Sequence, residues 1–251
     1  MKKEVKLNGY DKKRYNRQML IPGFGEGGQK ILKSSRVFIA GVGGLGSPVS
    51  IYLAVAGVGT IKIADKDVVE LSNLNRQILH WDRNIGRKKV ESAREKLAEA
   101  NPRVKIETFD RIIDSGNALE LTKNCDLIID AMDNFPTRYV LNEAAVRNDI
   151  PLIHGAVRGL WGQITTIIPK KTACLRCIFE KGPPPEVFPI LGATAGVIAM
   201  LQATEAIKLL TGVGQLLTNR LLIYDGRTMK FEEIAVKRVK NCPVCGDRKK
   251  V

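Results

Sequence analysis

One segment constrains the fold of this chain more than any other: a short apolar run that ends in a glycine-rich loop. Residues 36–41 (RVFIAG) have the composition of a buried strand, and residues 47–56 that of a helix. Between them, glycines allow a tight turn and let the backbone N–H groups at the start of the helix approach a phosphate. The pattern predicts a nucleotide-binding loop formed by Gly41, Gly43, Gly44 and Gly46.

The rest of the chain continues the alternation of strands and helices. Expected strands are residues 60–65, 104–109, 126–131, 151–157, 162–168, 221–225 and 229–236, and expected helices are residues 14–20, 88–100, 136–147 and 193–210. This order favours an α/β fold with a doubly wound, mostly parallel Rossmann-like sheet. We expect one domain over 1–251, with an N-terminal helical arm (1–35), a nucleotide-binding core (36–168) and a C-terminal extension of the same sheet (169–251).

Composition limits the cellular setting and the partners. The most apolar stretch, residues 194–210, is interrupted by Gln202, Glu205 and Lys208, and the chain starts without an apolar signal core, so we expect a cytoplasmic protein with no membrane partner. The net charge of +14 attracts polyanions. Much of the excess lies in short terminal runs such as 248–250, which are typical of solvated tails, so nucleic acid is an unlikely partner.

An acidic residue follows the glycine loop at the distance that a nucleotide site requires. Asp65 ends the next expected strand, nineteen residues after Gly46, where its carboxylate can accept hydrogen bonds from ribose hydroxyls. No Lys-Ser or Lys-Thr pair follows Gly46, so the loop is not of the Walker type. At this point both NAD(P) and ATP fit the pattern.

Cations near the loop favour a triphosphate. Arg76 lies in the run 73–77 (NLNRQ), and Lys89 opens an expected helix. Asp133 follows the expected strand 126–131, on the carboxyl edge of the sheet, where it could hold Mg²⁺. Further charge is available from Arg17 near the N-terminus.

In order and spacing, these motifs resemble the MoeB/ThiF/HesA family, which is related to the ubiquitin-activating enzymes. The resemblance covers nearly the whole chain, through RYNRQ, GVGGLGS, AGVGTIKIAD, LSNLNRQ, KVESAR, MDN, HGAVRGLWGQIT, CLRC, LQATEAIKLLTG and CPVC. It implies that the glycine loop cradles ATP, that Asp65 holds the ribose and that Asn73, Arg76 and Lys89 contact the phosphates. It also implies a magnesium-associated role for Asp133, with Asp130 as a strand-end residue, and a homodimer in which Arg17 reaches the neighbouring subunit's ATP site.

The implied activity is ATP-dependent adenylation of the C-terminal glycine carboxylate of a ubiquitin-like sulfur-carrier protein of the MoaD or ThiS kind, in molybdopterin, thiamine or related biosynthesis. Pyrophosphate would leave, and Arg17, Arg76, Lys89 and the magnesium ion associated with Asp133 would offset the developing charge. Two other classes stay open: an NAD(P)-dependent oxidoreductase, against which the three cations argue, and a non-catalytic or other-substrate binding module.

Four of the five cysteines have the spacing of metal ligands. Cys174 and Cys177 form one CxxC pair and Cys242 and Cys245 a second, which predicts a tetrahedral structural Zn²⁺ site. The fifth, Cys125, is expected to be a structural thiol.

The segment 178–196 contains no cysteine. The resembled family often places there a cysteine that forms a thioester or persulfide, so we carry over adenylation only and expect a separate sulfur donor protein. The two histidines, His80 and His154, belong to no recognisable triad or ligand pair and are expected to be structural.

Overall fold

An eight-stranded mixed sheet forms the centre of the protein in the computed structural model, which describes residues 5–183 and 187–246. The basic residues at 2–3 and 248–250 lie outside the described residues, as do residues 184–186, which belong to a proline-rich segment. All eight strands expected from the sequence are present: β1 Arg36–Ala40, β2 Thr60–Ala64, β3 Lys105–Phe109, β4 Leu127–Asp130, β5 Leu152–Arg158, β6 Trp161–Ile167, β7 Arg220–Asp225 and β8 Lys230–Ala235.

The sheet has the order β3-β2-β1-β4-β5-β6-β7-β8. Strands β3 to β5 in this order pair in parallel, whereas β6, β7 and β8 are added antiparallel. The expectation of a mostly parallel sheet therefore holds for the first five strands only. The C-terminal strands continue the same sheet because β5 and β6 are joined by a short turn at Gly159, whose φ is +59°.

Helices cover both faces of the sheet. They are α1 Gly9–Arg14, α2 Asn16–Met19, α3 Gly25–Ser34, α4 Gly46–Ala56, α5 Lys89–Ala100, α6 Ala118–Thr122, α7 Phe135–Asn148, α8 Leu175–Ile178 and α9 Gly192–Thr211. Successive side chains of a strand point to opposite faces, so β1 divides its residues between two cores. Val37 and Ile39 pack with α3, α4, α5 and α9, whereas Phe38 and Ala40 pack with α6, α7 and α8.

Helix α9 is the longest of the described helices and lies in the core. By length and apolar composition it could also cross a membrane. Here it packs against α4, β5 and β6, and it buries Ile198, Gln202 and Glu205. Its apolar composition is therefore accounted for by the core that it covers.

The N-terminal arm differs from the expectation of a single helix over 14–20. Two short helices, α1 and α2, meet at Tyr15, whose buried hydroxyl accepts a hydrogen bond from Asn101 Nδ2 at 2.8 Å. The sequence reading missed α3, because the glycines at its start are typical of a loop. Gly28 is used there for packing, since a Cβ at this position would lie 3.0 Å from the ring of Phe24.

The strand order reverses at β1, which pairs with β2 on one side and β4 on the other. In open α/β sheets, ligands bind outside the carboxyl ends of the strands at such a switch point. The topology therefore predicts a ligand site at the loops that follow β1 and β4.

Candidate active site

A cavity of about 470 Å³ opens at this switch point. It brings together residues from separate loops that the sequence singled out: Gly41, Gly43 and Gly44 after β1, Asp65 after β2, Arg76 and Lys89 beyond it, and Asp133 after β4. Seven predicted site residues therefore line one space. Its dimensions lie within the usual range for small-molecule sites.

The glycine loop after β1 forms one wall of the cavity. Gly41 has φ +84°, and a Cβ there would lie 3.2 Å from the Ala131 carbonyl oxygen, so the loops after β1 and β4 touch. Gly46 does not line the cavity. A Cβ at Gly46 would lie 2.0 Å from the Gly41 carbonyl oxygen, and its absence lets α4 begin directly behind the loop.

Asp65 is tied to the loop by backbone donors. One carboxylate oxygen accepts the Val42 N–H at 2.9 Å, and the other accepts the Asp67 N–H at 2.9 Å. Burial raises the pKa of Asp65, while nearby Lys89 acts in the opposite direction. Asp65 lines the cavity, and because a carboxylate can accept about four hydrogen bonds, it can also accept bonds from ribose hydroxyls.

Several cationic side chains line the same cavity. Lys89 is buried and pairs with Asp67, Nζ to Oδ2 at 3.0 Å. Arg76 donates from Nη1 to the Ser72 carbonyl at 2.8 Å and to Asn75 Oδ1 at 3.0 Å. Arg111 and Lys66 also line the cavity. This arrangement can neutralise a polyphosphate.

Asp133 lies in the turn that joins β4 to α7. Its side chain is exposed, and Oδ1 accepts a hydrogen bond from Asn134 Nδ2 at 3.2 Å. Asn134 is the N-cap of α7 and accepts the Thr137 N–H at 2.9 Å. A carboxylate oxygen at the cavity wall is the donor type that Mg²⁺ prefers.

Besides Gly46, two predicted nucleotide-site residues, Asn73 and Arg17, do not line the cavity. Asn73 is buried and holds the turn that carries Arg76: its carbonyl accepts the Arg76 and Gln77 N–H groups at 3.1 and 3.0 Å. Arg17 is exposed on α2 and is absent from the described lining of the cavity in its own chain.

Polar residues of the lining that the sequence did not predict include Gln77, Arg111 and Arg138. Gln77 is buried, and its Oε1 has no protein partner among the described residues. Arg111 follows β3 at its carboxyl end, the position that had identified Asp65, so the same rule could have found it. Arg138 lies inside α7, where the sequence carries no such signal.

A second, largely apolar cavity adjoins the first. It shares Asp133, Asn134, Arg138, Val157 and Phe188 with the nucleotide cavity. Its other walls come from α7, β5, β6 and the segment after α8, and include the residues Phe135, Trp161, Gln163 and Phe179. A ligand lying in this groove would place one end against the nucleotide cavity.

The four predicted metal ligands come together on the face of the sheet that α6, α7 and α8 cover. The sulfur atoms of Cys174, Cys177, Cys242 and Cys245 all lie within 4.8 Å of one another. Burial raises the pKa values of the Cys174 and Cys177 thiols. Cys174 is the N-cap of the one-turn helix α8, and the Val239 N–H donates to Cys177 Sγ at 3.3 Å. The cluster can bind a metal ion.

The remaining cysteine and the histidines are buried. Cys125 precedes β4 and therefore lies at the amino end of the parallel strands, and burial raises its pKa to about 11. His80 contacts the Val42 carbonyl and Ser92 Oγ, and burial lowers its pKa to about 4. His154 contacts Asp130 and is completely buried.

Comparisons with known proteins show the family of this chain. The ThiF family matches residues 15–244. The SAMP-activating enzyme E1 of Haloferax volcanii is 43% identical over 240 residues, which cover 93% of this chain and 88% of the relative. The sulfur carrier protein adenylyltransferase of Thermus thermophilus is 42% identical over 245 residues, covering 93% and 90% of the two chains.

Solved structures point the same way. The crystal structure of E. coli MccB with ATP has a TM-score of 0.82 and 26% identity to this chain, and the match covers 96% of this chain and 76% of MccB. The family match, the relatives and the cavity at the switch point agree: the chain belongs to the ThiF family and is an adenylyltransferase of the MoeB/ThiF type.

Proposed function

We propose that this adenylyltransferase activates the C-terminal glycine carboxylate of a small ubiquitin-like sulfur-carrier protein. The observation that carries the proposal is the continuity of the two cavities, which share five residues around Asp133 and Arg138. One cavity has the loop, carboxylate and cations of a nucleotide site. The other is an open groove whose inner end meets it, as a substrate with a terminal carboxylate requires. Of the two relatives above, one is named a SAMP-activating enzyme and the other a sulfur carrier protein adenylyltransferase.

In the proposed reaction, a carboxylate oxygen of the carrier attacks the α-phosphorus of ATP. A P–O bond forms to the carboxylate, the bond to the β-phosphate bridge breaks, and pyrophosphate leaves. Arg76 and Lys89 offset the charge that develops on the phosphate oxygens, and Asp65 holds the ribose. Bound through Asp133, Mg²⁺ would neutralise further charge on the leaving group.

The second half-reaction is assigned to another protein. Four of the five cysteines point at one another in the metal cluster, and Cys125 lies at the end of β4 opposite to the nucleotide cavity. A thiol whose pKa is raised to about 11 is also a poor nucleophile at neutral pH. The acyl-adenylate would therefore be handed to a thiol or persulfide of a separate sulfur donor. The pathway, molybdopterin, thiamine or a related one, follows from the carrier used.

We also propose that the four-cysteine cluster holds Zn²⁺. Four sulfur atoms at about 2.3 Å from one ion in tetrahedral geometry are about 3.8 Å apart. Three sulfur–sulfur distances are 3.9, 3.6 and 3.4 Å, for Cys174–Cys177, Cys174–Cys242 and Cys177–Cys245. The cluster thus has nearly the size that the ion requires.

A homodimer is proposed in which Arg17 enters the partner's ATP site. Arg17 is exposed next to Leu20 and Ile21, whose side chains are 66% and 50% exposed. Apolar surface beside a cation fits an interface that also delivers charge. Mixing Arg17→Ala and Asp133→Ala chains, each inactive alone, would then restore about a quarter of the activity, because half the dimers are mixed and one of their two sites is intact.

Carrier-dependent ATP–pyrophosphate exchange tests the main proposal. Exchange is expected with one or more small proteins that end in Gly-Gly and is expected to disappear when the terminal glycine is removed. Absence of exchange with every such protein of the source organism would overturn it. Tight NAD(P) binding without ATP binding, measured by calorimetry, would instead support an oxidoreductase, and ATP binding without exchange a binding module.

A further inference from the structure

A buried polar cluster lies directly beneath the turn that carries Asp133. Its members are Asp130 at the end of β4, Arg138 on α7 and His154 on β5, all at most 5% exposed. Arg138 lines both cavities, but Asp130 and His154 line neither, and none of the three belongs to the metal cluster. Buried charges are costly unless they are paired, so a group of this kind calls for an explanation.

The cluster holds Met132, the residue before Asp133, from both sides. Asp130 Oδ1 accepts the Met132 N–H at 3.1 Å. Arg138 donates to the Met132 carbonyl from Nη2 at 2.7 Å and from Nε at 3.2 Å. On the far side of Asp133, Asn134 caps α7. The backbone on either side of the Asp133 carboxylate is therefore fixed by side chains.

His154 completes the cluster. Its Nδ1 lies 2.7 Å from Asp130 Oδ2, and its Nε2 lies 3.2 Å from Gln163 Nε2. These contacts agree with a neutral imidazole that donates from Nδ1 to the carboxylate and accepts from the Gln163 amide at Nε2. Arg138 Nε is 3.8 Å from the same Asp130 oxygen, so His154 makes the shorter of the two contacts to that oxygen.

We propose that His154, acting through Asp130 and Arg138, is a positioning residue that fixes the Asp133 turn for binding of the nucleotide with its magnesium ion. The inference rests on the proposed role of Asp133. His154 does not line either cavity in the described structure, so it acts on the turn and not on the substrate. If His154 is removed, Asp130 Oδ2 loses its shortest partner, and the turn gains freedom while the glycine loop and Asp65 stay in place.

The experiment compares His154→Leu, which removes the donor, with His154→Asn, whose amide can donate from nearly the position of Nδ1. ATP binding is measured by calorimetry with and without Mg²⁺, alongside kcat for exchange. In the leucine variant, we expect the half-saturating Mg²⁺ concentration to rise about ten-fold and kcat to fall about ten- to a hundred-fold, since small misplacements of reacting groups are costly. Affinity for ATP without Mg²⁺ stays within about two-fold, and the asparagine variant recovers most of both losses.

Thr166→Val is the matched control. Thr166 is as buried as His154, and its hydroxyl donates a hydrogen bond to Glu205 that the valine variant lacks. This hydrogen bond does not involve the Asp133 turn. It should lower the unfolding midpoint without changing the Mg²⁺ dependence. If the leucine variant does not fold, His154→Ala takes its place.

Two results would overturn the inference: a leucine variant with unchanged Mg²⁺ dependence and kcat, or equal losses of ATP affinity with and without Mg²⁺. The calorimetric readout needs no carrier. A wild-type protein that binds ATP with Mg²⁺ but shows no exchange would therefore refute carrier adenylation alone.

Discussion

The nucleotide cavity and the cysteine cluster are built in opposite ways. Around the cavity, polar groups from loops after β1, β2 and β4 face an open space, and some, such as Gln77 Oε1, have no partner among the described protein groups. In the cluster, four thiols from two CxxC pairs that lie 68 residues apart in sequence point at one another and enclose a space of one ion's size. The difference separates a site that must exchange its ligand from one that must keep it.

The largest effect that tests this comparison is expected at Arg76. Arg76→Ala removes a cation whose only described protein partners are Ser72 and Asn75, so we expect carrier-dependent exchange to fall about a hundred- to a thousand-fold with little change in the unfolding midpoint. Arg147→Ala, which removes an exposed arginine of α7, serves as the control. Unchanged exchange in the Arg76 variant would show that the cations are not part of the reaction.

The cysteine cluster should respond in the reverse manner. Cys242→Ser removes one of four ligands and is expected to lower the free energy of unfolding by on the order of 3 kcal/mol, with loss of bound zinc measured by metal analysis. Cys125→Ser, outside the cluster, should keep full zinc content. A Cys242 variant with full zinc content and wild-type stability would contradict the assignment.

Gly46 contributes to the nucleotide cavity indirectly: it does not line the cavity, but it allows the close approach of the helix α4 backbone to the glycine loop. In Gly46→Ala the new Cβ would fall 2.0 Å from the Gly41 carbonyl oxygen, so the loop must move. We expect ATP affinity to fall about ten-fold and stability by about 1–3 kcal/mol. Gly116→Ala is the control, since the Cβ there meets only the tip of the exposed Asp114 side chain. Equal ATP affinity in the two variants would show that Gly46 is not needed to shape the nucleotide-binding loop.

The smallest effect concerns His80, which packs under the glycine loop. Burial lowers its pKa to about 4, below the value near 6.5 of an unfolded chain. The unfolded state therefore binds more protons between these values, and stability falls as pH drops from 6.5 towards 4, by up to about 1.4 kcal/mol per pH unit. His80→Gln should flatten this part of the profile in urea titrations; a slope equal to that of the wild type would assign it to other groups.

The sequence predicted the site best where chemistry follows a strand end. Gly41, Asp65 and Asp133 were found because each directly follows an apolar strand, and parallel strands end at one edge. Arg138 and His154 escaped this rule, since a residue inside a helix or strand gains its role only from tertiary neighbours. The glycine-rich start of α3 misled the reading for the same reason: packing against Phe24 overrides local propensity.

Helix α9 of the C-terminal extension (169–251) packs into the nucleotide-binding core (36–168). Gln202 of this helix donates to the carbonyl oxygens of Asp130 and Ile153, at 2.8 and 3.3 Å, in the space left open by Gly155. The same helix covers the apolar face of β1, β4 and β5. A chain that ends at residue 168 would therefore lack the helix that covers this core, and it is not expected to fold. We therefore expect the core and the extension to unfold as one cooperative unit.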